Sequence, residues 1–201
     1  MQLVFRVILA AALLFTEVPA AADDMLEQAL LEGQDAEPAE LVLWELVERQ
    51  RYVKAREEAE KYLVEHPDSY VAHLVLGSAL HYGEANFPKA LFHAERALQL
   101  FEAKEGVRPA ESQPWRWHAH ILIALARTHG DLEHYDEQLG FMHRYNELYT
   151  PQLKAELAWP LMKKREFEKA RLAAEAGLET GDPFQIERAK NALCAIEFEA
   201  G

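Results

Sequence analysis

Tyr52-Val53-Lys54-Ala55 is the stretch that decides the fold, because its pattern recurs as Phe87-Pro88-Lys89-Ala90 and as Phe167-Glu168-Lys169-Ala170. In each copy an aromatic residue is followed three positions later by alanine. Another alanine follows four positions after that, and a leucine lies eight positions after the first alanine. Small and apolar residues at this spacing form one stripe of an α-helix, and a stripe that returns at a fixed period is typical of stacked helices. The sequence therefore predicts an all-α repeat protein.

These stretches resemble the second helix of the tetratricopeptide repeat, a family whose unit of about 34 residues is one helical hairpin. The first helix of that unit carries a leucine and then a small residue about a dozen positions before the alanine. Three pairs match this pattern, namely Leu76-Gly77, Leu125-Ala126 and Leu157-Ala158. The first unit departs from it with Val42-Leu43, which implies a wider hairpin. Ala55 and Ala90 lie 35 residues apart, which implies one inserted residue in a hairpin turn.

The resemblance implies an α-solenoid of about four hairpins followed by a C-terminal capping helix. The hairpins are expected at about residues 37–68, 69–104, 114–150 and 151–183, and the final helix at 184–199, within a repeat domain that covers residues 37–201. Residues 23–36 are expected to form a short helix and a linker. Because the final helix resembles the first half of a fifth hairpin, the alternative is that the chain is the front part of a longer array.

The third hairpin allows two registers. Its second helix is anchored either by Tyr135 with Gln138 or by Leu132 with Tyr135. The first register is preferred because it also places Leu125-Ala126 correctly.

Two irregular features are expected. Residues 106–114 contain two prolines, a glycine and a serine, and this connection either is a slack surface loop or contacts the groove or a partner. Pro160 is expected in the middle of the first helix of the fourth hairpin, where proline removes a backbone hydrogen bond. A kink near Trp159 is therefore predicted.

Residues 1–22 have the features of a secretory signal peptide. Arg6 provides positive charge, residues 7–15 are apolar, and Ala20-Ala21-Ala22 offers a cleavage site. The apolar run is too short for a bilayer core, which needs about 20 residues, although an uncleaved anchor is the alternative. The expected location is the bacterial periplasm or the medium, with no membrane span after cleavage.

The net charge of −13 comes from 34 acidic and 21 basic residues. Removal of the leader leaves it unchanged, because one base and one acid are lost. Such a charge repels phosphate backbones, so nucleic acid is not an expected partner. Cys194 is the one cysteine, which excludes an intramolecular disulfide. Its apolar neighbours in sequence predict a buried thiol, and an intermolecular disulfide is the alternative.

The sequence contains no zinc-protease, nucleophile-elbow, phosphate-loop or dinucleotide motif. His118 and His120 point about 200° apart on a helix, so they cannot bind one metal ion together. They and the nearby His129 and His134 are expected to be surface or groove residues. We therefore predict no enzyme activity, no cofactor and no metal site.

In tetratricopeptide-repeat proteins the first helices of the hairpins line a concave groove. The resemblance places twelve positions there: Trp44, Glu48, Ser78, His81, Tyr82, His120, Arg127, Trp159 and Lys163 as partner-binding residues, with Leu74, Ile123 and Ala155 beside them. Tryptophan and tyrosine in such a groove would anchor a peptide. The predicted function is an exported scaffold that binds a protein or peptide partner. The alternative is a structural module that binds through its C-terminal edge or forms a homo-oligomer.

Overall fold

A computed structural model describes residues 38–107, 116–149 and 152–200, of which 84% are helical and none lies in a strand. The all-α prediction is confirmed for these residues. Nine α-helices occur in the described part: α1 Pro38–Glu48, α2 Tyr52–Glu65, α3 Tyr70–Glu84, α4 Phe87–Glu105, α5 Arg116–Asp131, α6 Tyr135–Leu148, α7 Ala158–Lys163, α8 Phe167–Leu178 and α9 Pro183–Ala200. A 3₁₀ helix, Lys154–Leu157, directly precedes α7.

Several predictions concern residues outside the described part. These are the signal peptide at residues 1–22, the helix and linker at residues 23–36, and residues 108–114 of the long connection. Among the helices that are described, none is both long and apolar enough to cross a membrane.

Four turns join the helices into pairs, and they share one backbone conformation. All described non-glycine residues with positive φ lie in these turns, each two positions before the aromatic residue that begins the second helix of the pair: Gln50, Ala85, Glu133 and Arg165, with φ between 51° and 62°. A left-handed residue at this place ends a helix and releases the chain into a tight return. The four helical pairs therefore close in the same way.

The hydrogen bond that closes the second turn spans one residue more than those of the other three turns. The N–H of Arg51 donates to the carbonyl of Leu46, five residues earlier, and His134 and Glu166 make the equivalent bonds. The N–H of Asn86 instead reaches the carbonyl of Leu80, six residues earlier, at 2.9 Å. The inserted residue predicted from the spacing of the alanines is thereby confirmed.

The start of α6 decides between the two registers of the third pair. This helix begins at Tyr135, as α2, α4 and α8 begin at Tyr52, Phe87 and Phe167. The preferred register, anchored by Tyr135 and Gln138, is therefore confirmed.

Small residues lie where the helices of a pair meet. Ala55, Ala90 and Ala170 are at most 1% exposed, as their spacing predicted. A Cβ added to Gly77 would lie 3.2 Å from the carbonyl oxygen of Ala90, and one added to Gly177 would lie 2.6 Å from the Cβ of Ala155. The backbones therefore approach closely in the second and the fourth pair.

Each helix packs mainly against its neighbours in sequence. The first helix of one pair also contacts the first helix of the next pair. Such contacts join α1 to α3 and α3 to α5, and α7 contacts α9 in the same way. One large cluster of buried residues runs from α1 to α5 and contains Trp44, Phe101 and Trp117. Between the third and fourth pairs, the contact is made by α6, which packs on the 3₁₀ helix and on α7.

The fourth pair differs from its prediction at Pro160. The expected long first helix is divided into the 3₁₀ helix and α7, which begins only two residues before the proline. Pro160 thus lies in the first turn of an α-helix, where its missing N–H removes no helical hydrogen bond. The change of helix type replaces the predicted kink within one helix.

Cys194 is exposed, so the prediction of a buried thiol is wrong. Helix α9 buries a stripe that includes Ala189, Ala192 and Ile196, and a residue two positions after Ala192 points away from that stripe. The other exposed residues in the middle of α9 are polar, namely Glu187, Arg188, Lys190 and Asn191. Cys194 therefore lies on the solvent side of α9.

The left-handed turns yield a first stability prediction. We expect Glu133→Gly to stabilise the fold by about 1 kcal/mol, because glycine adopts positive φ without the steric cost that other residues bear. Urea denaturation followed by circular dichroism measures this change. The matched control is Glu95→Gly in the middle of α4, where the same substitution should destabilise by about 1 kcal/mol. Destabilisation by both variants would contradict the role assigned to the turn.

The helix contacts yield a second prediction. Gly177→Ala should destabilise the fold by about 2 kcal/mol, because the new methyl group overlaps Ala155. Gly140→Ala is the control, since nothing lies within 4 Å of a Cβ added there. This variant should stabilise α6 by about 1 kcal/mol. Opposite shifts of the urea midpoint are expected, and equal shifts would show that the close approach at Gly177 is not limiting.

Candidate functional site

A cavity of about 420 Å³ lies between α1, α3 and α5. Eight of the twelve positions predicted for the groove line it, namely Trp44, Glu48, Ser78, His81, Tyr82, His120, Ile123 and Arg127. Leu74 and Ala155 do not, because they are 1% and 3% exposed and belong to the core. The repeat register of the first helices therefore predicted correctly that most of these side chains lie together.

A second cavity of about 460 Å³ adjoins the first, and His81, Tyr82 and Arg127 line both. Trp159 belongs to this second cavity and is 49% exposed, and the Nζ of Lys163 lies 5.0 Å from the centre of its ring. We call the two cavities together the inner groove. It extends from α1 to the beginning of α9.

The inner groove contains residues that the sequence pattern did not indicate. Tyr52, Thr128, Asp131, Phe184 and Arg188 line one cavity or the other. Thr128 is one position after Arg127 and Asp131 is four positions after it, so the helical period was the available signal. Phe184 and Arg188 come from α9, whose closeness to α3 and α5 no local pattern indicates.

Trp44 and Glu48 form one end of the groove. The indole Nε1 of Trp44 donates to Glu48 Oε1 at 2.8 Å, and Arg116 donates to the same oxygen at 2.9 Å. The Trp44 ring meets Trp117 edge-on at 5.5 Å and lies 4.6 Å from the His120 ring. Burial, together with Arg116 and Arg127, lowers the pKa of His120 to about 4. This end of the groove is an aromatic wall beside the Glu48 carboxylate, which is paired with Arg116.

His81 lies at the junction of the two cavities and is held from both sides. Its Nε2 is 3.1 Å from Asp131 Oδ2, and its Nδ1 is 3.1 Å from the hydroxyl of Thr128. Burial lowers the pKa of His81, and the Asp131 carboxylate opposes this shift. Thr128 is only 2% exposed and also bonds to the carbonyl of Ala124, so its hydroxyl is not accessible as a nucleophile. These contacts orient the imidazole.

Arg127 and Tyr82 form a bridge at the same junction. One guanidinium nitrogen donates to the Tyr82 hydroxyl at 2.8 Å, and the Tyr82 ring lies 5.7 Å from the Tyr52 ring. Arg127 is half-buried, yet no carboxylate of the described residues lies within ion-pair distance of it. Guanidinium has five N–H donors, so most of them are directed at the groove or at water.

Not all of the histidines lie where the sequence predicted. His118 is fully buried, and its Nδ1 lies 2.6 Å from the Tyr149 hydroxyl. His129 is 6% exposed and faces His134 at 3.4 Å. The prediction of surface or groove positions is therefore wrong for His118 and His129, because the third pair buries that side of α5. Within the described residues no three ligating side chains are grouped for a metal ion.

Comparison with protein-family models, with curated proteins and with solved structures finds no significant match to this chain. The relation to tetratricopeptide-repeat proteins thus depends on the residues and on the geometry described above, and it stays a proposal.

His118 makes the stability of the fold sensitive to acid. Burial, with a smaller effect of Arg144, lowers its pKa to about 4 from about 6.5 in the unfolded chain. Between these values the unfolded chain binds more protons than the folded protein does. The stabilisation that comes from the neutral His118 is therefore fully present above pH 6.5 and is lost as the pH falls towards 4. We expect this residue to contribute a loss of about 2 kcal/mol between pH 7 and pH 5.

Urea denaturation at both pH values measures the loss. The His118→Gln variant should show a smaller difference between the two, because the amide does not titrate. His143→Gln is the control, since this histidine of α6 is exposed. An unchanged difference in His118→Gln would assign the acid sensitivity to other groups.

Proposed function

We propose that this protein is an exported scaffold of the tetratricopeptide-repeat type that binds a peptide or partner segment along the inner groove. One observation carries the proposal. Eight positions chosen from the repeat register alone line one cavity, and Trp159 lines the cavity beside it. A repeat architecture that turns its first helices towards a common surface accounts for this result.

The arrangement of the helices supports a solenoid. Substantial contacts join only elements that are close in sequence order, and first helices contact the next first helix in three places. Stacked hairpins have this pattern, because each repeat touches only its neighbours. The four equivalent left-handed turns also support one repeated unit.

The lining of the groove favours a protein ligand. Tyr82 and Trp159 are 45% and 49% exposed, although rings of this size are usually covered. Their rings are held by Arg127 and Lys163, so binding a segment against them would cost little side-chain entropy. Export to the periplasm or the medium is proposed from the leader sequence.

Photo-cross-linking from single positions tests the proposal. A benzophenone amino acid replaces Tyr82 or Trp159 in the groove, and Phe92 on α4 serves as the control because it is 62% exposed and lies outside both cavities. In cells that produce the protein, we expect the same partner to be cross-linked from Tyr82 and Trp159 and not from Phe92. Equal cross-linking from all three positions, or none from the groove, would contradict the proposal.

A further inference from the structure

We propose that the inner groove selects a protein segment in which one acidic side chain stands between two bulky apolar side chains, with the acid on Arg127. The inference rests on the proposed function and specifies the chemistry of the ligand. It is carried by the position of Arg127 at the junction of the two cavities and by the aromatic side chains on either side of it.

Arg127 differs from the other arginines that border the groove. Arg116 is paired with Glu48, and Arg188 is paired with Glu156 at 2.8 Å. Within the described residues, the guanidinium of Arg127 bonds only to the neutral hydroxyl of Tyr82. A half-buried guanidinium has lost part of its hydration, so an incoming carboxylate recovers interaction energy there. The planar fork of arginine also fits both oxygens of a carboxylate.

The two carboxylates that line the cavities already have partners. Glu48 accepts bonds from Trp44 and Arg116, and Asp131 contacts His81. A ligand therefore does not have to displace an internal ion pair to reach Arg127. The local positive charge lies within a chain of net charge −13, so the groove is electrostatically unlike the protein as a whole. Complementary charge gives orientation and specificity to a docked segment.

Aromatic rings lie on both sides of the Arg127–Tyr82 bridge. Trp44, Tyr52 and Ile123 contribute to the first cavity, and Trp159 and Phe184 contribute to the second. In an extended segment the side chains at i, i+2 and i+4 point to the same face. An apolar residue, an acidic residue and another apolar residue at alternate positions would therefore enter the first cavity, reach Arg127 and enter the second cavity.

The probe is a fluorescent nine-residue peptide with glutamate in the centre and phenylalanine two positions away on each side, in a glycine and serine background. Acetylated and amidated ends ensure that the carboxylate comes from the side chain. A peptide with central glutamine is the matched control. A glutamine peptide with a free C-terminal carboxylate tests whether the carboxylate that binds Arg127 belongs to a chain end. Versions with phenylalanine one or three positions from the centre cover other spacings.

Fluorescence anisotropy should show that wild-type protein binds the best glutamate peptide about tenfold or more tightly than its glutamine counterpart, as expected for a charge-assisted hydrogen bond. In Arg127→Gln this preference should disappear. Lys89→Gln removes a positive charge from the exposed surface of α4 and should retain the preference. Replacing either phenylalanine with serine should weaken binding to the wild-type protein. Arg127→Lys keeps the charge without the fork, and it should retain part of the preference if Arg127→Gln does not fold.

Equal binding of the glutamate and glutamine peptides to wild type would overturn the proposal. A preference that survives in Arg127→Gln, or no binding at any spacing, would overturn it as well. Tight binding only to the peptide with the free end would assign the carboxylate to a chain terminus and refute the side-chain version. If groove cross-links are obtained while the glutamate preference is absent, the groove binds a partner of other chemistry. If the cross-links are absent too, the proposed function itself fails.

Discussion

Close approach of helix backbones at alanine and glycine is the constraint on which the rest of the structure depends. Ala55, Ala90 and Ala170 are buried at equivalent places, and Gly77 and Gly177 leave no room for a methyl group without displacement. Contacts of this kind gain dispersion energy over many atoms, and small side chains lose almost no conformational entropy when they are buried. Larger residues at these positions would separate the helices and change the direction in which each pair projects.

The turns and the close contacts together determine how the two helices of a pair are oriented. Four non-glycine residues adopt the left-handed conformation, at a steric cost of about 1–2 kcal/mol each. The cost is tolerated because the turn sets the angle at which the second helix returns, and the small residues then lock that angle. With the angle set, side chains such as Ser78, His81 and Tyr82 on α3 face those on α1 and α5 across a cavity.

The charge of the inner groove differs from the net charge of the protein. Glu48 is paired with Arg116, and Asp131 contacts His81. Arg127 bonds to the Tyr82 hydroxyl and, within the described residues, to no carboxylate. Burial also keeps His120 neutral at physiological pH, because its pKa is lowered to about 4. The lining of the groove thus carries two carboxylates and two arginines with no net formal charge, although the chain as a whole is strongly acidic.

The helices, the inserted residue in the second turn and half of the lining of the first cavity could be predicted from the sequence, because they follow from spacing along single helices and from the repeated turn. The division of the fourth pair at Pro160, the exposure of Cys194, the burial of His118 and the entry of Phe184 into the groove could not. These features depend on which side of a helix meets a distant neighbour, and on how the 3₁₀ helix leads into α7. Local periodicity determines which face of a helix is buried, whereas only packing between remote segments decides what that face meets.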